Sequence, residues 1–141
     1  MTDTHFLIPR KLVLAILHHI QTQPEQEVCG LVGGDPGKAA SYYPVDNIDP
    51  LKTNRFTLDG AGQIAALKTM RSRNETLVAI FHSHPHTTAQ PSSLDIALGG
   101  HSGVLSLIGS TGTRGVLELR GYRLDAAENG AEVELLMGDE G

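Results

Sequence analysis

The sequence predicts an α+β fold built on a mixed central sheet flanked by helices. Three observations carry that expectation. Helical and strand patterns alternate irregularly, hairpin patterns are frequent, and one strand, Leu77–His84, opens with an apolar run on both faces, as a central strand does. A doubly wound parallel sheet would need strict strand–helix alternation, which the pattern does not show.

Each element has its own signature. Residues 9–22 read as a helix, with Pro9 at the first helical position and Leu12, Val13, Ile16, Leu17 and Ile20 in one stripe. Pro24 closes it. Val28–Gly33 reads as a strand that runs through Gly33-Gly34 into the turn Asp35-Pro36-Gly37, and Ala39–Val45 as its hairpin partner. Arg55–Leu58 is a candidate short strand. Asp59 is placed to cap a helix over 60–72, with Ile64, Leu67 and Met70 facing inward; Gly60 and Gly62 each weaken it by about 1 kcal/mol relative to Ala. After Leu77–His84, a short helix runs from Ser92/Ser93 to Leu98. Gly103–Ile108 and Val116–Leu124 read as strands around a Ser-Thr-Gly-Thr-Arg-Gly turn, and Val133–Met137 as a last edge strand.

Composition narrows the function classes. The 141 residues match one domain and are too few for a (β/α)₈ barrel of about 250, which sets aside the barrel amidohydrolases. Net charge is −5, with no Lys/Arg cluster, three Tyr, three Phe and no Trp, so nucleic-acid binding is disfavoured. Cys29 is the only cysteine, which excludes disulfide scaffolds and zinc ribbons and reads as a small buried hydrophobe. The N-terminus lacks a basic region leading into an apolar run, and Leu12–Leu17 is the longest apolar stretch. The expectation is a cytoplasmic protein with no membrane span and no internal repeat.

The chemistry concentrates in His82-Ser83-His84-Pro85-His86. Strand alternation puts His82 and His84 on one face, about 6–7 Å apart along it, where two imidazoles can converge on one ion. Pro85 stops the ladder. Asp95, at the start of the following helix, is placed to fold back as a third ligand. Two His and one carboxylate leave a fourth position open, as catalytic zinc sites do. Glu27 is the leading proton carrier, with Glu25 its rival. Each feature also has a plainer reading. A His-x-His pair arises often by chance, Ser92-x-x-Asp95 is a capping box, His86 is a loop residue, and His18 and His19 sit at the surface or margin of their helix.

Taken in order, Glu27, His82-Ser83-His84, the seven residues Pro85–Pro91, and Ser92-Ser93-Leu94-Asp95 resemble the JAMM motif of the MPN-type metalloproteases (the JAMM/MPN+ family): an upstream Glu, His-x-His, seven residues, then Ser-x-x-Asp. The resemblance covers nearly the whole chain, including Glu27-Val-Cys-Gly-Leu-Val-Gly-Gly, Tyr42-Tyr43-Pro44-Val45-Asp46-Asn47, Val104–Gly109 and Leu119–Leu124. It implies a single MPN/JAB-like, cytidine-deaminase-like domain over residues 1–141. It implies one Zn2+ held by His82, His84 and Asp95. Glu27 would take a proton from the attacking water and pass it to the leaving amine, and Ser92 would donate to the developing oxyanion. The chain is most similar to compact prokaryotic members, whose substrates are ubiquitin-like β-grasp sulfur carriers cut after a C-terminal Gly-Gly. Gln90 before Pro91 and the Gly60-Ala61-Gly62 helix start depart from that pattern. Two other classes stay open: a non-catalytic, metal-stabilised binding module, and a metallohydrolase of small amides.

Overall fold

The computed structural model describes residues 5–98, 103–113, 116–124 and 131–138. Along the chain they form β1 (His5–Pro9), α1 (Arg10–Thr22), β2 (Cys29–Asp35), β3 (Lys38–Val45), α2 (Gly60–Ser72), β4 (Thr76–His84), α3 (Ser93–Leu98), β5 (Leu105–Thr113), β6 (Val116–Arg123) and β7 (Ala131–Gly138). The strands pair in the order β1-β3-β2-β4-β5-β6-β7, and β7 returns to β1 to close the sheet into a barrel. Parallel pairs (β1 with β3 and β7, β4 with β5) mix with antiparallel ones, as an α+β fold with a mixed sheet requires.

Among the described residues, three apolar clusters hold the layers together. The largest joins Leu12, Ile16 and Ile20 of α1 to Phe6, Ile8, Val32, Phe81 and Leu107 of the sheet. A second sits under α2, where Ala66 and Met70 meet Leu31 and Val45. A third packs Ala89, from the loop after β4, against Ile108 and Tyr122. Burying a side chain such as Ile16 contributes about 1.5–3 kcal/mol, so α1 is held by its stripe rather than by a cap. Among the described residues, no side chain caps its start. Asp59 does cap α2, its Oδ2 accepting from Gly62 N at 2.9 Å.

Several expectations are corrected. Pro9 is not the first helical residue: it ends β1, an element the apolar periodicity did not reveal, and stands in extended conformation at the cap of α1. Arg55–Leu58 forms no strand beyond one isolated bridge, Asn47 to Leu58. On α2, Met70 faces inward, but Ile64 and Leu67 are 57% and 42% exposed. The helix approaches the sheet through small residues, and an ideal Cβ on Gly62 would already lie 3.2 Å from Val45 Cγ1. Ser110–Thr113 continue β5 instead of turning, and residues 114–115 of the expected turn lie outside the described residues. β7 is no edge strand, because it pairs with β6 on one side and β1 on the other.

Gly37 and Gly30 are among the described glycines that geometry requires. Gly37 has φ 81° in the β2–β3 turn, a left-handed conformation that disfavours a side chain. At Gly30 a Cβ would meet Cε1 and the hydroxyl of Tyr42 at 2.6 Å. Gly30→Ala is expected to lower stability by about 1–3 kcal/mol through overpacking. In urea unfolding, the double variant with Tyr42→Leu should recover part of that loss.

Candidate metal centre

β4 delivers the two imidazoles. Its alternation points His82 and His84 to one face and Ser83 to the other, where Ser83 Oγ accepts from Val28 N at 2.8 Å and Ser83 N donates to Val28 O at 2.9 Å. Ser83 thus ties β4 to β2 behind the histidines. Both histidines are buried.

The loop after Pro85 is fixed at several points, which brings Asp95 back over the strand. His84 Nδ1 donates to Thr88 O at 2.8 Å, which turns Nε2 toward the site. Ser110 Oγ donates to Thr87 O. Ala89 N donates to Glu118 Oε1 at 3.1 Å, and Tyr122 OH donates to Ala89 O at 3.0 Å. α3 then starts with a reciprocal cap: Asp95 N donates to Ser92 Oγ at 3.0 Å, and Ser92 N donates to Asp95 Oδ2 at 2.9 Å. Accepting from Asp95 leaves the Ser92 hydroxyl proton able to donate elsewhere.

Three ligand-type atoms converge. His82 Nε2, His84 Nε2 and Asp95 Oδ2 lie 3.2 Å from one another on every side. Around a tetrahedral ion with bonds of about 2.0–2.1 Å, neighbouring ligand atoms stand about 3.3 Å apart. The triangle therefore fits one face of such a tetrahedron, and the donor set of two imidazoles and a carboxylate suits zinc. Phe56 stacks on His82 with centroids 4.6 Å apart and planes 19° from parallel.

The electrostatics match this arrangement. Burial alone would raise Asp95, yet its bonds to the two imidazoles hold it far below the usual carboxylate range. Burial lowers His82 despite Asp95 beside it. Burial also pulls at His84, but Asp95 and the Thr88 carbonyl outweigh it and the net shift is upward. The β2–β4 ladder ends at the pair Cys29 with His82, and Glu27, two residues ahead of it, lies close enough to His84 and Asp95 to feel their charges. Burial pushes Glu27 up to about 7, offset by His84 and reinforced by Asp95 and Asp49.

The other candidates separate. Cys29 is fully buried, its thiol donates to Val45 O at 3.4 Å, and burial raises it to about 12, so it is the apolar filler the sequence suggests. His86 Nε2 lies 3.4 Å from Glu25 Oε1 in an exposed pair. His18 is exposed, and His19 is half-buried with Nδ1 2.6 Å from Tyr42 OH; neither joins the group. Sequence reasoning missed Phe56, the Thr88 carbonyl and Asn47. Only Asn47 carried a signal, as an Asn two residues past a strand end, a position that favours a side chain bonding to nearby backbone.

A family model described as prokaryotic homologs of the JAB domain matches residues 9–123. The chain belongs to that family. It is 30% identical over 120 residues to the CysO-cysteine peptidase of Mycobacterium tuberculosis, covering 84% of this chain and 82% of that relative. It is 29% identical over 114 residues to the desampylase of Haloferax volcanii, covering 77% and 82%. Among solved structures, a protein of Desulfitobacterium hafniense determined in solution is similar with a TM-score of 0.83 and 28% identity, over 96% of this chain and 94% of that one. These likenesses bear out the expected JAMM/MPN-type family and fold class.

Two outcomes follow for this JAB-domain chain. Elemental analysis after dialysis against zinc should find one ion per chain, and His82→Ala should weaken binding by at least about 100-fold. Without metal, the folded chain holds the Glu27 proton more tightly than the unfolded chain between about pH 4.5 and about 7. This group's contribution to stability is therefore fully present below about 4.5, falls as pH rises through that window, and is flat above it. Glu27→Gln should stabilise the metal-free chain at pH 8 by about 2 kcal/mol, allowing for solvent screening, and hardly at all at pH 4.5. Paired thermal melts at the two pH values check this.

Proposed function

We propose that the chain, a JAMM-type peptidase, hydrolyses the amide bond that follows the C-terminal Gly-Gly of a ubiquitin-like, β-grasp sulfur-carrier protein. The observation that carries this reading is the even triangle of His82, His84 and Asp95 donor atoms with the buried Glu27 beside it. Relatives named CysO-cysteine peptidase and desampylase support the substrate class. In this role the chain works as one domain, in the cytoplasm, on a protein substrate.

His82, His84 and Asp95 would hold one zinc ion. Bound there, zinc supplies a water nucleophile at neutral pH and polarises the scissile carbonyl. Glu27 takes the water proton and returns it to the leaving amine. Burial raises this carboxyl to about 7 in the metal-free chain, and a carboxyl group can serve as base and then as acid in both halves of that task. Ser92, with its hydroxyl proton free, donates to the carbonyl oxygen as negative charge gathers on it; one such donor is worth about 3–4 kcal/mol in the transition state. The Thr88 carbonyl keeps the His84 ring oriented through Nδ1, and Ser92 N fixes Asp95. Two glycines before the cut let an extended tail pass the buried histidines without side-chain clash.

The test is intact-mass spectrometry of a zinc-loaded reaction. The substrate is a β-grasp carrier extended by a few residues after Gly-Gly, with Glu27→Ala and chelated enzyme in parallel. The expected outcome is a mass loss equal to the extension, present only with Glu27 and metal. Zinc binding without cleavage of any carrier would instead favour a binding module, and cleavage of small amides alone a small-amide hydrolase.

A further inference from the structure

The segment between β3 and α2 touches both halves of the candidate site, and one side chain organises it. Asn47 uses its whole amide. Nδ2 donates to the carbonyls of Glu27 at 2.8 Å and Arg55 at 3.1 Å, while Oδ1 accepts the amides of Asp49 at 3.0 Å and Thr57 at 2.9 Å. Asp49 staples the interior of the same loop, accepting from Leu51 N at 2.8 Å, Arg55 Nε at 3.1 Å and Thr57 Oγ1 at 2.8 Å. From this loop Phe56 reaches His82 and stacks on its ring.

Glu27 depends on this loop because it lies outside the sheet ladder. β2 begins at Cys29, and Val28 is held by Ser83. Glu27 itself has its N–H on Lys52 O at 2.7 Å and its C=O on Asn47 Nδ2. Both of its backbone groups are therefore bonded to residues 47–52 and not to a neighbouring strand. A residue ahead of the first ladder pair would ordinarily fray. Here its direction is set by the loop, which is itself folded around Asn47.

We infer that Asn47 is a positioning residue for Glu27: it fixes the Glu27 carbonyl to the 47–57 loop and so aims the Glu27 carboxylate at the face shared with His84. The loop then acts as one brace, since Phe56 of the same segment bears on His82. The kinetic consequence rests on the peptidase reading above; the structural consequence does not.

Asn47→Asp separates the two halves of the hub. It keeps an oxygen for Asp49 N and Thr57 N, but it removes both donations and sets a carboxylate against two carbonyl oxygens. Asn47→Ser serves as a second variant should the first fail to fold. The first arm is amide hydrogen exchange on metal-free protein. Expected is at least about ten-fold faster exchange at the Glu27 amide, with Leu31 and Val32 of β2 unchanged. Unchanged exchange at Glu27, or a uniform rise that includes β2, overturns the inference.

The second arm is kinetic. Asn47→Asp should lower kcat by about ten-fold or more with KM and zinc content unaltered, and should cost nothing further in a Glu27→Ala background. Losses that add in the double variant, or a fall in kcat matched by loss of zinc, would show a role that does not pass through Glu27. If the wild-type chain cleaves no carrier, the peptidase reading falls, while the exchange arm still decides the brace.

Discussion

The antiparallel register of β2 on β4 is the constraint from which the candidate site follows. Cys29 sits opposite His82 as the last pair of that ladder, and Glu27 lies two residues beyond it, where the loop after β3 takes over its backbone bonds. A slip of one residue would turn both histidines to the face now occupied by Ser83 and would leave Glu27 pointing away from them. The register is held from behind by the Ser83–Val28 pair of bonds and from the sides by the apolar residues that alternate with the histidines, with Phe81 packed in the large cluster. The core and the site are thus two faces of one strand pair, and the packing that buries Phe81 also aims His82.

What β2 and β4 leave undone is completed by loops tied down unusually well for loops. The segment after Pro85 is bonded to β5 through Ser110 and to β6 through Glu118 and Tyr122, with Ala89 fully buried as its anchor. The segment after β3 is folded on Asn47 and Asp49. Holding such segments in one conformation is entropically costly, and buried polar groups left without partners would be costlier still. The number of side chain-to-backbone bonds here offsets both. A metal site needs that rigidity, because a loosely held third ligand would forfeit affinity.

The sequence displayed those parts of the molecule whose determinants are local. β2, β4, α1 and the Asp59 cap follow from periodicity and capping chemistry that operate within a few residues. The motif residues were legible for the same reason: His-x-His on a strand end and Ser-x-x-Asp at a helix start each carry their own geometry. β1 was not legible, because five residues show little period and their main partner, β7, comes from the far end of the chain. Closure of the barrel was hidden with it. Ile64 and Leu67 misled because α2 is oriented by the smallness of Gly62 and Ala66, which permits close approach, rather than by where its large side chains fall. Phe56 and Asn47 act across a loop whose shape no short-range rule specifies.

Asp95 shows how local and non-local demands meet in one atom. Its Oδ2 accepts from Ser92 N as half of a helix cap and also lies 3.2 Å from both imidazole nitrogens. The plain reading of Ser-x-x-Asp as a cap and the functional reading as a ligand therefore do not compete. A carboxylate fixed by the backbone at a helix start has already lost its rotamer freedom, so little further entropy is lost when it takes up a ligand's position. The same cap contributes an N–H that favours the ionised carboxyl, which a cationic ligand requires and which burial would otherwise oppose. Moving the acid by one residue in either direction would break the cap and the triangle together, so helix capping and metal ligation fix the same spacing.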